Sequence, residues 1–124
     1  GSRQCQHALT GSLAGVILAP GVYCFAASAS LTGTLTLKGP STGVWTFLVN
    51  GNLTGNSFSM VMADQGQPCN VLWESSGATT MTTSNAKGNF LAGQAITLTS
   101  GSFVGRAFAK MAVTTTGVAI TGCR

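Results

Sequence analysis

Charge is what this sequence has least of. Six Lys and Arg and two Asp and Glu serve 124 residues, so charged side chains make up 6% where an ordinary soluble domain carries about 25%. The cations Arg3, Lys38, Lys87, Arg106, Lys110 and Arg124 are scattered. Nucleic-acid binding needs such residues gathered into a patch, so that class is set aside. Asp64 and Glu74 are the only carboxylates and His7 the only histidine, too sparse a set for a paired acid and base. No G-x-S-x-G, H-E-x-x-H or phosphate-cradling glycine motif occurs. The chain is therefore expected not to be an enzyme and to need no metal or cofactor. No apolar run approaches the ~20 residues of a membrane helix, so no membrane partner is expected.

Cysteine is scarce but informative. Cys5, Cys24, Cys69 and Cys123 have none of the close pair spacings of a zinc site, which points to two disulfides formed in an oxidising compartment. Four cysteines allow three connectivities, of which Cys5–Cys24 with Cys69–Cys123 is favoured. With no signal peptide at its start, the chain is expected to be a mature or a trimmed form. Its length suits a single domain over residues 1–124, large enough to bury a core.

What is abundant is Gly, Thr and repetition. Aligning "GNFLAGQAITLTSGSFV" from Gly88 with "GRAFAKMAVTTTGVAIT" from Gly105 sets glycine on glycine, Ala92 on Ala109, Ile96 on Val113 and Phe103 on Ile120, a period of 17 residues. One step back, in "VLWESSGATTMTTSNAK" from Val71, Trp73 falls on Phe90 and Met81 on Leu98. Earlier the period is expected to continue through "TLT" at 34–36 and "NLT" at 52–54, separated by 18 residues. The insertion "ADQGQPC" reads as a protruding loop.

Within each unit apolar residues alternate with Thr and Ser, the period of a strand. Recurrent Gly, many β-branched residues and no 3.6-residue apolar stripe argue against helix. Short strands joined by small-residue corners predict an all-β fold: a β-solenoid, or right-handed β-helix, of about five coils of 17–18 residues with little or no helix. Leu35, Leu53, Met81 and Leu98 are expected to form one inward column, ending at Thr115. Their neighbours then point outward as two columns, Thr34, Asn52, Thr80, Thr97 and Thr114 beside Thr36, Thr54, Thr82, Thr99 and Thr116. Asn52 also opens an N-x-T sequon, read as unglycosylated because a glycan there would lie on these columns. Threonine ladders also serve sheet pairing alone, at a few tenths of a kcal/mol per contact. Yet an exposed strand surface ordinarily carries Lys and Glu, and this one excludes them. Stiff threonines on a flat, uncharged grid suit contact with ordered water.

The sequence resembles a known family. "LAPGVYCF" (18–25), "LTGTLTLKGP" (31–40), "PCNVLW" (68–73), "GNFLAGQAITLTSGSFVGRAFAK" (88–110) and "VTTTGVAIT" (113–121) are similar, in order and spacing, to the ice-binding proteins of cold-adapted bacteria, fungi and algae. The resemblance implies an irregular right-handed β-solenoid, secretion, no cofactor, and adsorption to ice through one flat face that inhibits ice growth and recrystallisation. It implies in addition an N-terminal region and a long helix packed along the solenoid, for which the residues before "PGVY" leave no room. The surface that helix would cover is expected to expose Leu91 and Phe108, an apolar patch suited to self-association or to a missing N-terminal segment. The rival reading is a non-enzymatic adhesion module that binds glycan or protein, with Tyr23, Trp45 and Trp73 as its candidate stacking aromatics.

Overall fold

The computed structural model describes residues 7–9, 13–40, 42–64 and 70–121. Ten strands occur in this order: β1 (His7–Ala8), β2 (Val16–Leu18), β3 (Gly21–Phe25), β4 (Ala29–Gly39), β5 (Trp45–Val49), β6 (Leu53–Asp64), β7 (Val71–Ser75), β8 (Thr79–Ala92), β9 (Ile96–Ala109) and β10 (Val113–Thr121). Every pairing among them is parallel. Parallel neighbours that follow one another through the chain are the signature of a solenoid, in which each coil stacks on the last. No helix among the described residues is long and apolar enough to cross a membrane.

The long strands bend around corners, so the ladders resolve into three faces. The first stacks the leading parts of β4, β6, β8, β9 and β10, with Ala29 on Leu53, Thr79 and then Ile96 and Val113. The second stacks β2 and the trailing parts of β4, β6, β8, β9 and β10, beginning with Val16 on Leu35. The third stacks β1, β3, β5 and β7 and then the ends of β8 and β9.

Coil length differs from expectation in the first half. From Val71 onward the step is 17 residues, as Trp73 on Phe90, Met81 on Leu98 and Phe103 on Ile120 establish. Before that the coils are longer: Tyr23 to Phe47 is 24 residues and Phe47 to Trp73 is 26. The 18-residue step from Leu35 to Leu53 is therefore not a coil. Leu35 lies on the second face, opposite Met60, and Leu53 on the first, opposite Thr79. The inward column that contains Met81 and Leu98 runs instead through Leu31, Gly55 and Thr115. At Gly55 the space a Cβ would take is filled by Met81, whose sulfur would stand 2.3 Å from it.

An aromatic stack fills the core behind the third face. Tyr23, Phe47, Trp73 and Phe90 lie nearly parallel, with ring centroids 5.5, 4.0 and 5.9 Å apart, and Phe103 tilts against Phe90 at 5.3 Å. One aromatic per coil at strand spacing is the geometry in which such pairs contribute about 0.5–1.5 kcal/mol each beyond burial. Trp73 Nε1 has no hydrogen-bond partner among the described residues, which offsets part of that gain by about 1–3 kcal/mol. At one end Leu13 is 4% exposed and closes the core. At the other, Val113 and Ile120 of β10 are 44% and 52% exposed, and Thr115, at the end of its inward column, is exposed as well.

Candidate functional site

The first face carries the threonines. Along β8 and β9 the inward residues Thr79, Met81, Ile96 and Leu98 are all buried, so the alternation of a strand turns Thr80, Thr82, Thr97 and Thr99 outward. The inward Thr79 hydroxyl is satisfied by the Ser75 hydroxyl at 3.0 Å.

The register then defines two outward columns. One is Ser30, Thr54, Thr80, Thr97 and Thr114. The other is Asn56, Thr82, Thr99 and Thr116, with Thr32 beside Asn56 at the irregularity between Leu31 and Gly33. Positions within a strand are ~6.6 Å apart and successive coils ~4.8 Å. No charged residue stands in either column.

Four expected positions are corrected. Thr34 pairs with Ser59 and Thr36 with Val61, so both belong to the second face. Thr54 stands in the column of Thr80, not of Thr82. Asn52 is a corner residue before the first face: its backbone N–H donates to Ser28 Oγ at 3.0 Å, and its Oδ1 accepts from the Ala78 N–H at 2.9 Å. The cause is the same throughout, since the 24- and 26-residue coils displace everything before Thr79 from a 17-residue frame. Ser30, Thr32 and Asn56 were missed for that reason. Glycine carries the signal that finds Asn56: setting "NGNLT" (50–54) on "SGATT" (76–80), Gly51 over Gly77, gives the 26-residue step.

The two hydroxyl-bearing faces differ in what their side chains do. On the second face Ser102 Oγ donates to Asn85 Oδ1 at 2.8 Å, and Asn85 Nδ2 donates to Ser59 Oγ at 3.2 Å, tying three coils together. On the first face, among the described residues, the side chains of both outward columns make no hydrogen bond within the protein. Their donors and acceptors are left to solvent, held in place by threonine's stiff χ1.

Outside, the third face mixes one line of Leu48, Glu74, Leu91 and Phe108 with another of Leu72, Asn89 and Arg106. Leu48, Leu72 and Leu91 are half-buried and Phe108 is 52% exposed. Two shallow grooves flank Glu74 there, one reaching Leu48 and Cys24, the other Leu91, Phe108 and Lys110. Among the described residues no cysteine is free, and Cys24 is disulfide-bonded. Cys5, Cys69 and Cys123 lie outside the described residues, as does most of the "ADQGQPC" insertion. Three or more His, Cys, Asp or Glu side chains nowhere converge among the described residues.

Fold and surface together define a class: a parallel β-solenoid with one face whose two outward columns are uncharged and rich in threonine. Residues 2–121 match the Ice-binding-like family, and the chain belongs to it. It is 36% identical over 107 residues to an ice-binding protein of Flavobacterium frigoris, covering 84% of this chain and 39% of that protein. With one from Nostoc it shares 42% identity over 108 residues, 82% of this chain and 40% of the relative. Among solved structures, an ice-binding protein from an Antarctic Flavobacteriaceae bacterium superposes with a TM-score of 0.90 at 34% identity, covering 99% of this chain and 30% of that one. A domain of a Shewanella frigidimarina ice-binding protein does so at 0.88 and 32%, covering 94% and 53%. The chain thus spans about two-fifths of the length of these curated relatives.

Proposed function

We propose that this chain adsorbs to ice through the first face and thereby inhibits ice growth and recrystallisation. The observation that carries the reading is the alignment of Thr80, Thr97 and Thr114 beside Thr82, Thr99 and Thr116 on an uncharged surface whose hydroxyls make no hydrogen bond among the described residues. Ice offers no charge and no pocket, only a repeating array of water. A rigid grid that repeats along two axes presents many weak contacts at once, methyls seating in cage-like hydration and hydroxyls anchoring it. Because threonine rotamers are few, little side-chain entropy is lost on contact. The relatives' names agree with this reading, which makes ice the partner and adsorption rather than catalysis the activity.

Secretion, a single unit over residues 1–124, and the pairs Cys5–Cys24 and Cys69–Cys123 complete the proposal. Cys24's bonded state supports it, and peptide mapping without reductant reads the pairing. Association of two copies through Leu91 and Phe108 of the third face is proposed in the same terms, with light scattering at rising concentration as its check. The glycan-binding alternative needs exposed aromatics, whereas Tyr23, Trp45 and Trp73 are all buried, at 5%, 0% and 1% exposure.

The test is thermal hysteresis and recrystallisation inhibition by the purified chain. Faceted, growth-arrested crystals are expected. Crystals that grow and coarsen as in buffer overturn the proposal.

A further inference from the structure

The corner where the first face turns into the second holds a row of residues that the two columns do not include. Ser57, Thr83 and Ser100 adopt φ of 52°, 50° and 56°. They are three of the four non-glycine residues with positive φ among those described, the fourth being Leu13. The pairings that bracket them, Asn56 with Thr82, Thr82 with Thr99 and Ser84 with Gly101, set all three in one line. Gly117 continues that line in the last coil, at φ 61°.

Left-handed backbone is unfavourable for residues with a Cβ, and most of all for a β-branched one such as Thr83. Glycine is the ordinary solution, and the chain uses it at its other corners: Gly88 and Gly105 between the second and third faces, at φ 114° and 137°, and Gly51 before the first, at φ 149°. At this corner packing does not call for a side chain. Ser57, Thr83 and Ser100 are exposed, and among the described residues their hydroxyls make no hydrogen bond within the protein. Gly117 shows that glycine is accepted there, and the space around it is open, a Cβ on it meeting nothing nearer than Ser100 Oγ at 4.0 Å. Backbone strain that the fold does not need is a pointer to function.

We infer that Ser57, Thr83 and Ser100 form a third hydroxyl row that contacts ice along the edge of the first face. This inference rests on the reading of that face as ice-binding. In the three central coils the row widens the array from two polar positions per coil to three, all of them hydroxyls except the Asn56 amide. The chain accepts left-handed serine and threonine at these positions because each places a hydroxyl beside Asn56, Thr82 or Thr99.

The test is the triple variant Ser57→Gly, Thr83→Gly, Ser100→Gly, measured beside Thr97→Lys. Glycine relieves the backbone, so the triple variant is expected to melt no lower than the parent while its thermal hysteresis at equal concentration falls at least twofold. Thr83→Asn, which keeps a polar group in a residue tolerant of this backbone, is expected to retain more than half of the activity. Parental hysteresis in the triple variant, with loss in Thr97→Lys, overturns the third row and leaves the face intact. Parental hysteresis in both overturns the face itself.

Discussion

Thr80 and Thr97 stand directly opposite each other in the β8–β9 ladder, outward-facing between inward neighbours that are buried on both strands. Chemistry at the surface is therefore separated from packing beneath it, and the two respond to different substitutions. Thr82, one outward position along, is the cleanest place to see this. Thr82→Tyr breaks the flatness of the face without touching Met81 or Leu98. Thermal hysteresis is expected to be abolished while stability changes by no more than about 0.5 kcal/mol, the usual range for surface sites, as read by a circular dichroism melt.

Asn52 gives the opposite pattern. Its Oδ1 accepts the Ala78 N–H one coil on, a bond that replaces backbone pairing at a corner. Asn52→Ala is expected to cost about 1 kcal/mol in a denaturant melt and to leave hysteresis at the parental level below the melting transition. Lost activity with unchanged stability would return Asn52 to the ice-contacting set.

Glycine at Gly105 is a stacking requirement. A Cβ there would lie 1.9 Å from the Gly88 carbonyl oxygen of the preceding coil, at φ 137°. Because the obstacle is backbone, no rotamer relieves it, and the strands must part. Gly105→Ala is expected to lower stability by at least about 2 kcal/mol, with a melt that loses cooperativity as β9 separates from β8.

Tyr23 sets a pH limit. Its hydroxyl donates to the Ala19 carbonyl, and burial raises its pKa above the ordinary 10.0. A raised pKa in the folded state means that the protonated form is favoured by folding. This stabilisation is fully present below pH 10.0 and is lost as pH rises through the raised value. The melting temperature of the parent is expected to fall relative to Tyr23→Phe above pH 10.0, while the gap between the two stays constant from about pH 6 to about pH 9.

Much of this architecture was legible in the sequence, and its failures have a physical origin. From Val71 on, equal coils put Trp73, Met81 and Leu98 on a fixed period, and alternation then identified both the strands and the outward threonines. Alternation alone does not say which of three faces a strand belongs to. "TLT" at 34–36 and "NLT" at 52–54 look equivalent, yet one lies on the second face and the other enters the first. Only the coil length separates them, and the 24- and 26-residue coils are set by long second-face strands and corner insertions that leave no periodic trace. The left-handed corner was hidden for another reason: Ser57, Thr83 and Ser100 occupy positions where a sequence reading looks for glycine.

The most direct test of the central claim compares one substitution on two faces. Thr97 lies in an outward column of the first face, and Thr34 pairs with Ser59 on the second, so a lysine at either site enters solvent without disturbing the core. Hysteresis is expected to vanish in Thr97→Lys and to persist at the parental level in Thr34→Lys. Retained activity in the first together with loss in the second would place the ice-contacting surface on the other face and contradict the account.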